Sequence, residues 1–318
     1  MSKIDTHHHF VPLFYAQAVE NAGGDPSGWP TPQWTPEASL ASMEKNGTQK
    51  AVLSLTAPGA VIAPDNISRR QLARQANEYA PSLRDAKPDR FGFFAALPCL
   101  SDTEGALEEI RYSLDVLKAD GVTLFTRYGS GNHYLGHPDF RPIWEELNHR
   151  KAVVFIHPTH PADTNRVNPS LPQPAIDYPH ETTRTAVDLL TTGTKRAFPD
   201  CKVILSHAGG TLPYLISRLT TVTKSPEATY NPYKTNPGNI VEDFKSFYFD
   251  LALSSSSAVL TLLLSLVPHD HILYGSDFPY AHNDKIAGFR EALDEHPLNQ
   301  ELRDRIYFEN AEKIFSRL

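Results

Sequence analysis

The sequence predicts an α/β fold, a closed (β/α)8 TIM barrel, on three observations. Its 318 residues match the length of a single such barrel. Eight short apolar runs mark it, at 4–9, 50–55, 90–97, 121–125, 152–157, 202–207, 247–251 and 272–277, and a strand buried on both faces reads as just such a run. Helix-like segments separate most of these runs, and no glycine-rich phosphate loop follows the first, which disfavours an open doubly wound sheet.

Each crossover has its own punctuation. Thr35-Pro36 reads as an N-cap followed by proline at the first helical position, and Gly47 stands where that helix should stop. Ser101-Asp102-Thr103-Glu104 opens a helix over 105–118, with Leu107, Ile110, Leu114 and Leu117 at helical spacing. Segments 140–150, 181–198, 212–221 and 256–266 supply further helices. Two proline-rich irregular stretches, 158–179 and 225–237, read as pocket lids or subunit contacts inserted in one domain spanning 1–318.

Composition narrows the function classes. A net charge of −7 without a Lys/Arg-rich run argues against nucleic acid as a partner. The most apolar stretch, 251–267, is interrupted by Ser254 to Ser257 and reads as a strand end plus a buried helix, so no membrane span is expected. The N-terminal residues carry no apolar signal core, so a cytoplasmic location is expected. The terminal Ser316-Arg317-Leu318 offers a peroxisomal alternative. Cys99 and Cys201 are far apart and read as buried thiols.

The polar residues at strand ends carry the chemistry. The first strand runs Asp5-Thr6-His7-His8-His9-Phe10; side chains two apart share a face, so His7 and His9 converge while His8 points away. The fifth run ends at His157, the sixth at His207 and the eighth at Asp277. Barrel enzymes keep their chemistry at this C-terminal rim. Imidazoles and a carboxylate gathered there suit one divalent ion, zinc or alternatively manganese, with a position left for water or substrate. Phe10, Phe125, Phe278 and Tyr280 adjoin the same strand ends and are candidates for an aromatic pocket wall.

In order, these motifs resemble the amidohydrolase superfamily. His207-Ala208-Gly209-Gly210 followed by Leu212-Pro213-Tyr214 and Arg218, with Tyr274-Gly275-Ser276-Asp277-Phe278-Pro279, resembles its aminocarboxymuconate-semialdehyde decarboxylase branch. Segments 4–10 and 156–161 are most similar to the fungal 6-methylsalicylate decarboxylases. The resemblance implies that His7, His9, His157 and Asp277 ligate one metal. His207 would act beside it, and Arg218 would reach a neighbouring subunit's site in a homodimer. Binuclear members carry a bridging lysine at the fourth strand's end, where this chain reads Leu124-Phe125-Thr126-Arg127, so a single ion is expected. The implied reaction is non-oxidative decarboxylation of a small ortho-hydroxybenzoic acid, 6-methylsalicylate to 3-methylphenol, with Asp277 and His207 catalytic and Arg218, Phe10 and Phe278 contacting substrate. Metal-dependent hydrolysis of a lactone or related small cyclic substrate is the alternative.

Overall fold

The computed structural model describes residues 2–221 and 237–315. Most of the 225–237 stretch and the Ser316-Arg317-Leu318 tripeptide therefore lie outside the described residues. Eight parallel strands form the sheet: β1 (Ile4–Phe10), β2 (Lys50–Leu55), β3 (Phe91–Ala95), β4 (Gly121–Phe125), β5 (Val153–His157), β6 (Lys202–Leu205), β7 (Tyr248–Asp250) and β8 (Ile272–Leu273). They pair in that order. The chain just past β8 joins β1: Thr6 N–H donates to Tyr274 O (3.0 Å), Asp277 N–H to His7 O (2.8 Å) and His9 N–H to Phe278 O (2.7 Å). The barrel closes through these bonds.

Alternate strand residues serve two cores. Ile4, Val52, Phe94, Val153, Phe155, Ile204 and Leu273 fill the barrel's interior and are capped from below by Ala311, Ile314 and Phe315. Ala51, Leu53, Phe93, Leu124, Val154, Ile156, Val203 and Phe249 belong to the larger core shared with the helices. The period of two along each strand produces this division.

The β1–β2 ladder slips between Asp5 and His8. A bulge of this kind re-aims side chains, and β1 passes from Ile4 in the lower interior to His7 and His9 at the rim. Close approach matters opposite: a Cβ on Gly275 would lie 2.8 Å from that of His7, so only glycine lets the chain after β8 run beside β1 here.

The helix Pro36–Asn46 starts and stops as its sequence indicates, with Thr35 Oγ1 accepting the Ala38 N–H and Gly47 left-handed at φ 67°. The segment read as a helix over 105–118 is α-helical over Thr103–Arg111 and then widens into a π-turn over Tyr112–Val116. The 181–198 reading starts late: the helix spans Asp177–Thr191, and Gly193 separates it from a short turn at Thr194–Ala197. The sequence reading passed over the helix Asn66–Ala86, half of whose buried residues are alanines (Ala73, Ala76, Ala80, beside Leu72, Asn77 and Leu83), which weakens the apolar contrast. No helix among the described residues is long and apolar enough to cross a membrane.

Candidate active site

The strand ends deliver their polar side chains to one point. Ligand atoms of His7, His9, His157 and Asp277 all lie within 4.8 Å of one another, and all four residues are buried. His7 Nε2 and His9 Nε2 are 3.2 Å apart. Asp277 Oδ1 is 3.4 Å from the first and 3.3 Å from the second. The His157 ring stands edge-on to both, with centroids at 5.1 and 4.7 Å.

Second partners orient these rings. Asp250, at the end of β7, sets Oδ2 3.0 Å from His7 Nδ1. A carboxylate only accepts, so Nδ1 carries the proton and Nε2 faces the cluster. Ser54 Oγ lies 2.9 Å from His9 Nδ1 and holds the second ring in the same sense. His8 points away from the cluster, to Asp5 Oδ2 at 3.0 Å and Ser39 Oγ at 2.9 Å. The sequence reading missed Asp250 and Ser54. The available signal was a carboxylate near the end of the seventh apolar run and a hydroxyl inside the second.

Local backbone places the last two groups. Asp277 and His207 both adopt left-handed conformations, φ 63° and 54°, which cost on the order of 1–3 kcal/mol each and concentrate at functional sites. His207 Nδ1 donates to Ala252 O at 2.9 Å, leaving its Nε2 as an acceptor. Ligand atoms of His207, His7 and Asp250 also lie within 4.8 Å of one another.

The electrostatics follow from burial and charge. Burial disfavours protonated His7, yet Asp250 and Asp277 beside it outweigh this and raise its pKa to about 10. Burial lowers the pKa of His9, His157 and His207, with neighbouring imidazoles adding to the effect. Burial also opposes the Asp277 carboxylate, but hydrogen bonds from His7 and His9 prevail and hold it well below the usual carboxylate range. His157 Nδ1 is buried without a hydrogen-bond partner among the described residues, which is costly unless something else satisfies it. Three imidazoles, one of them with an orphaned nitrogen, the Asp277 carboxylate and the further anion Asp250 beside His7 fit a divalent cation.

A cavity of about 230 Å³ adjoins the cluster, lined by His157, His207 and Asp277 together with Asp25, Trp29, Thr56, Tyr178, Tyr280 and Phe289. Pro174, Ala175, Tyr178 and Pro179, from the 158–179 stretch, complete one wall. Of the four aromatics expected at the rim, Tyr280 lines the cavity. Phe10 instead packs in the core against Trp34 and Tyr79, Phe125 meets His157 edge-on, and Phe278 lies against His8. The bulge in β1 and the turn after Asp277 accompany the outward aim of Phe10 and Phe278. Arg218 is exposed on the helix Leu212–Thr221 and borders a separate groove with Tyr134, Arg184 and Leu215.

Residues 4–317 match the family model described as amidohydrolase. The chain is 49% identical over 318 residues to a 6-methylsalicylic acid decarboxylase of Penicillium expansum, covering 100% of this chain and 97% of that protein. A solved structure described as an amidohydrolase II superposes with a TM-score of 0.90 at 32% identity, with 99% of each chain covered. A 2,6-dihydroxybenzoate decarboxylase complexed with 2,6-dihydroxybenzoate gives a TM-score of 0.80 at 25% identity, covering 99% of this chain and 98% of the other.

Proposed function

The chain belongs to the amidohydrolase family, and we propose that within it the protein is a metal-dependent decarboxylase of ortho-hydroxybenzoic acids, converting 6-methylsalicylate to 3-methylphenol and carbon dioxide. The observation that carries this reading is the convergence of His7, His9, His157 and Asp277 within 4.8 Å beside an aromatic-lined cavity. The 49% identity to a protein of that activity supports the substrate.

His7, His9, His157 and Asp277 would hold one divalent ion, zinc or manganese. When bound, it supplies Lewis-acid polarisation and an anchor for the substrate's carboxylate and ortho oxygen. Asp277 then takes the proton of the ortho hydroxyl and returns it to the ring carbon bearing the carboxylate. The carbon–carbon bond breaks, its electrons restore the aromatic ring, carbon dioxide leaves, and the phenolate is protonated from solvent. His207, neutral with Nδ1–H committed to Ala252 O, offers Nε2 as a hydrogen-bond acceptor that positions the hydroxyl before Asp277 takes its proton. Tyr178, Tyr280, Trp29 and Phe289 surround the ring and limit water's access.

The protein would act as a homodimer in which Arg218 serves the partner's cavity. Its exposure, on the helix that follows His207 and away from its own cavity, supports this. Metal analysis of purified protein followed by incubation with 6-methylsalicylate tests the proposal. It predicts a single divalent ion and equimolar 3-methylphenol and carbon dioxide. Acid release from lactones without carbon dioxide would replace it with hydrolysis.

A further inference from the structure

The cavity's wall holds a charge that the decarboxylation itself does not use. Asp25 lines the cavity beside Trp29, Tyr178 and Tyr280. Its Oδ1 accepts the Ser27 N–H at 2.8 Å, and Ser27 O accepts the Gln173 N–H at 3.2 Å, joining the Asp25 loop to the segment that precedes the lining residues Pro174 and Ala175. No ion pair to Asp25 forms among the described residues. Burial pushes its carboxyl above the ordinary range, with the Ser27 hydrogen bond opposing. The tyrosines around it (Tyr15, Tyr178 and Tyr280) feel its charge and remain neutral phenols. Among the described residues, and apart from the candidate metal residues and His207, the other charged lining residue is the exposed Lys285.

The cavity is thus lined both by the candidate cation site and by a separate carboxylate. The histidine cluster, once it carries a cation, attracts one anionic group. The same cavity's lining includes Asp25, a carboxylate with no ion pair among the described residues in a partly buried setting, where like charges repel strongly. We propose that Asp25 is a specificity-determining residue, excluding ring acids with a second anionic group while admitting those whose remaining substituents are neutral or donate a hydrogen bond. This rests on the aromatic-acid reading given above.

The test compares 5-carboxysalicylate with 5-carbamoylsalicylate, and the corresponding 4-substituted pair, which differ in charge at nearly constant shape. Their affinities for the metal-loaded protein are measured by calorimetry, and 6-methylsalicylate turnover is followed separately. The expected result is a preference of at least about tenfold for the carbamoyl member of at least one pair, falling to within about threefold in both Asp25→Asn and Asp25→Ser. A merely structural role would weaken both members equally and leave the ratio alone. A wild-type ratio near one in both pairs, or a preference that survives in folded variants, overturns the proposal. Absence of carbon dioxide release from any salicylate, with the affinity ratio shifting as described, would instead overturn the decarboxylase reading and leave the role of Asp25 standing.

Discussion

Asp250→Asn isolates the part that a neighbouring carboxylate plays in readying His7 for a metal. The two oxygens of Asp250 accept three N–H groups: His7 Nδ1 at 3.0 Å on Oδ2, with the backbone N–H of His207 at 3.2 Å and of Ala252 at 2.9 Å on Oδ1. Asparagine has a single acceptor oxygen. If that oxygen stays with the two backbone groups, the amide NH2 faces His7 Nδ1. Two donors then oppose each other, and relief comes when His7 moves its proton to Nε2, the nitrogen aimed at the cluster. A ligand nitrogen is thereby blocked. Loss of such an outer partner weakens metal binding by roughly 10–100-fold, about 1.4–2.7 kcal/mol. Competition with a chromophoric chelator at neutral pH reads this directly, and circular dichroism confirms that the variant is folded. An unchanged metal affinity in folded Asp250→Asn would refute the reasoning, because the residue would then be only a backbone tether.

Further outcomes follow from the same geometry. Asp277→Asn should abolish carbon dioxide release, measured in the headspace, and a metal-loaded variant with near-native turnover would remove its proton role. His207→Ala should lower kcat by several orders of magnitude while metal content, read by elemental analysis, stays near one ion per chain. In chelator-treated protein the His7 pKa is raised from 6.5 to about 10, so its stabilising contribution is full below about pH 6.5 and is lost as pH rises through about 10. Melting temperature of the metal-free protein should fall across that window, while metal affinity rises as the competing proton leaves. Phe155→Ala, removing a fully buried ring 5.0 Å from His7, should cost about 3–5 kcal/mol in denaturant unfolding.

Much of this protein is legible in its sequence because the chemistry sits where apolar runs stop. Each barrel strand is buried on both faces, so His157, His207 and Asp277 stand out as the ionisable residues at or just past the ends of hydrophobic stretches. The His7-x-His9 spacing carries its own geometry through the strand's period of two. Helices were legible where leucine and isoleucine supplied the contrast, and passed over at Asn66–Ala86, where alanines and Asn77 share the buried face with only two leucines.

What the sequence by itself determined is therefore the barrel, the rim and the residues that meet there, since these depend on local periodicity and the alternation of strand and helix. Only the tertiary structure decided that Asp250 and Ser54 orient the ring nitrogens, that Asp25 faces the cavity, and that Phe10 and Phe278 turn into the core rather than toward the site. Those outcomes depend on a register slip in β1, left-handed backbone at His207 and Asp277, and loops brought together across more than a hundred residues. None of these has a periodic signature, because each arises from how distant segments pack.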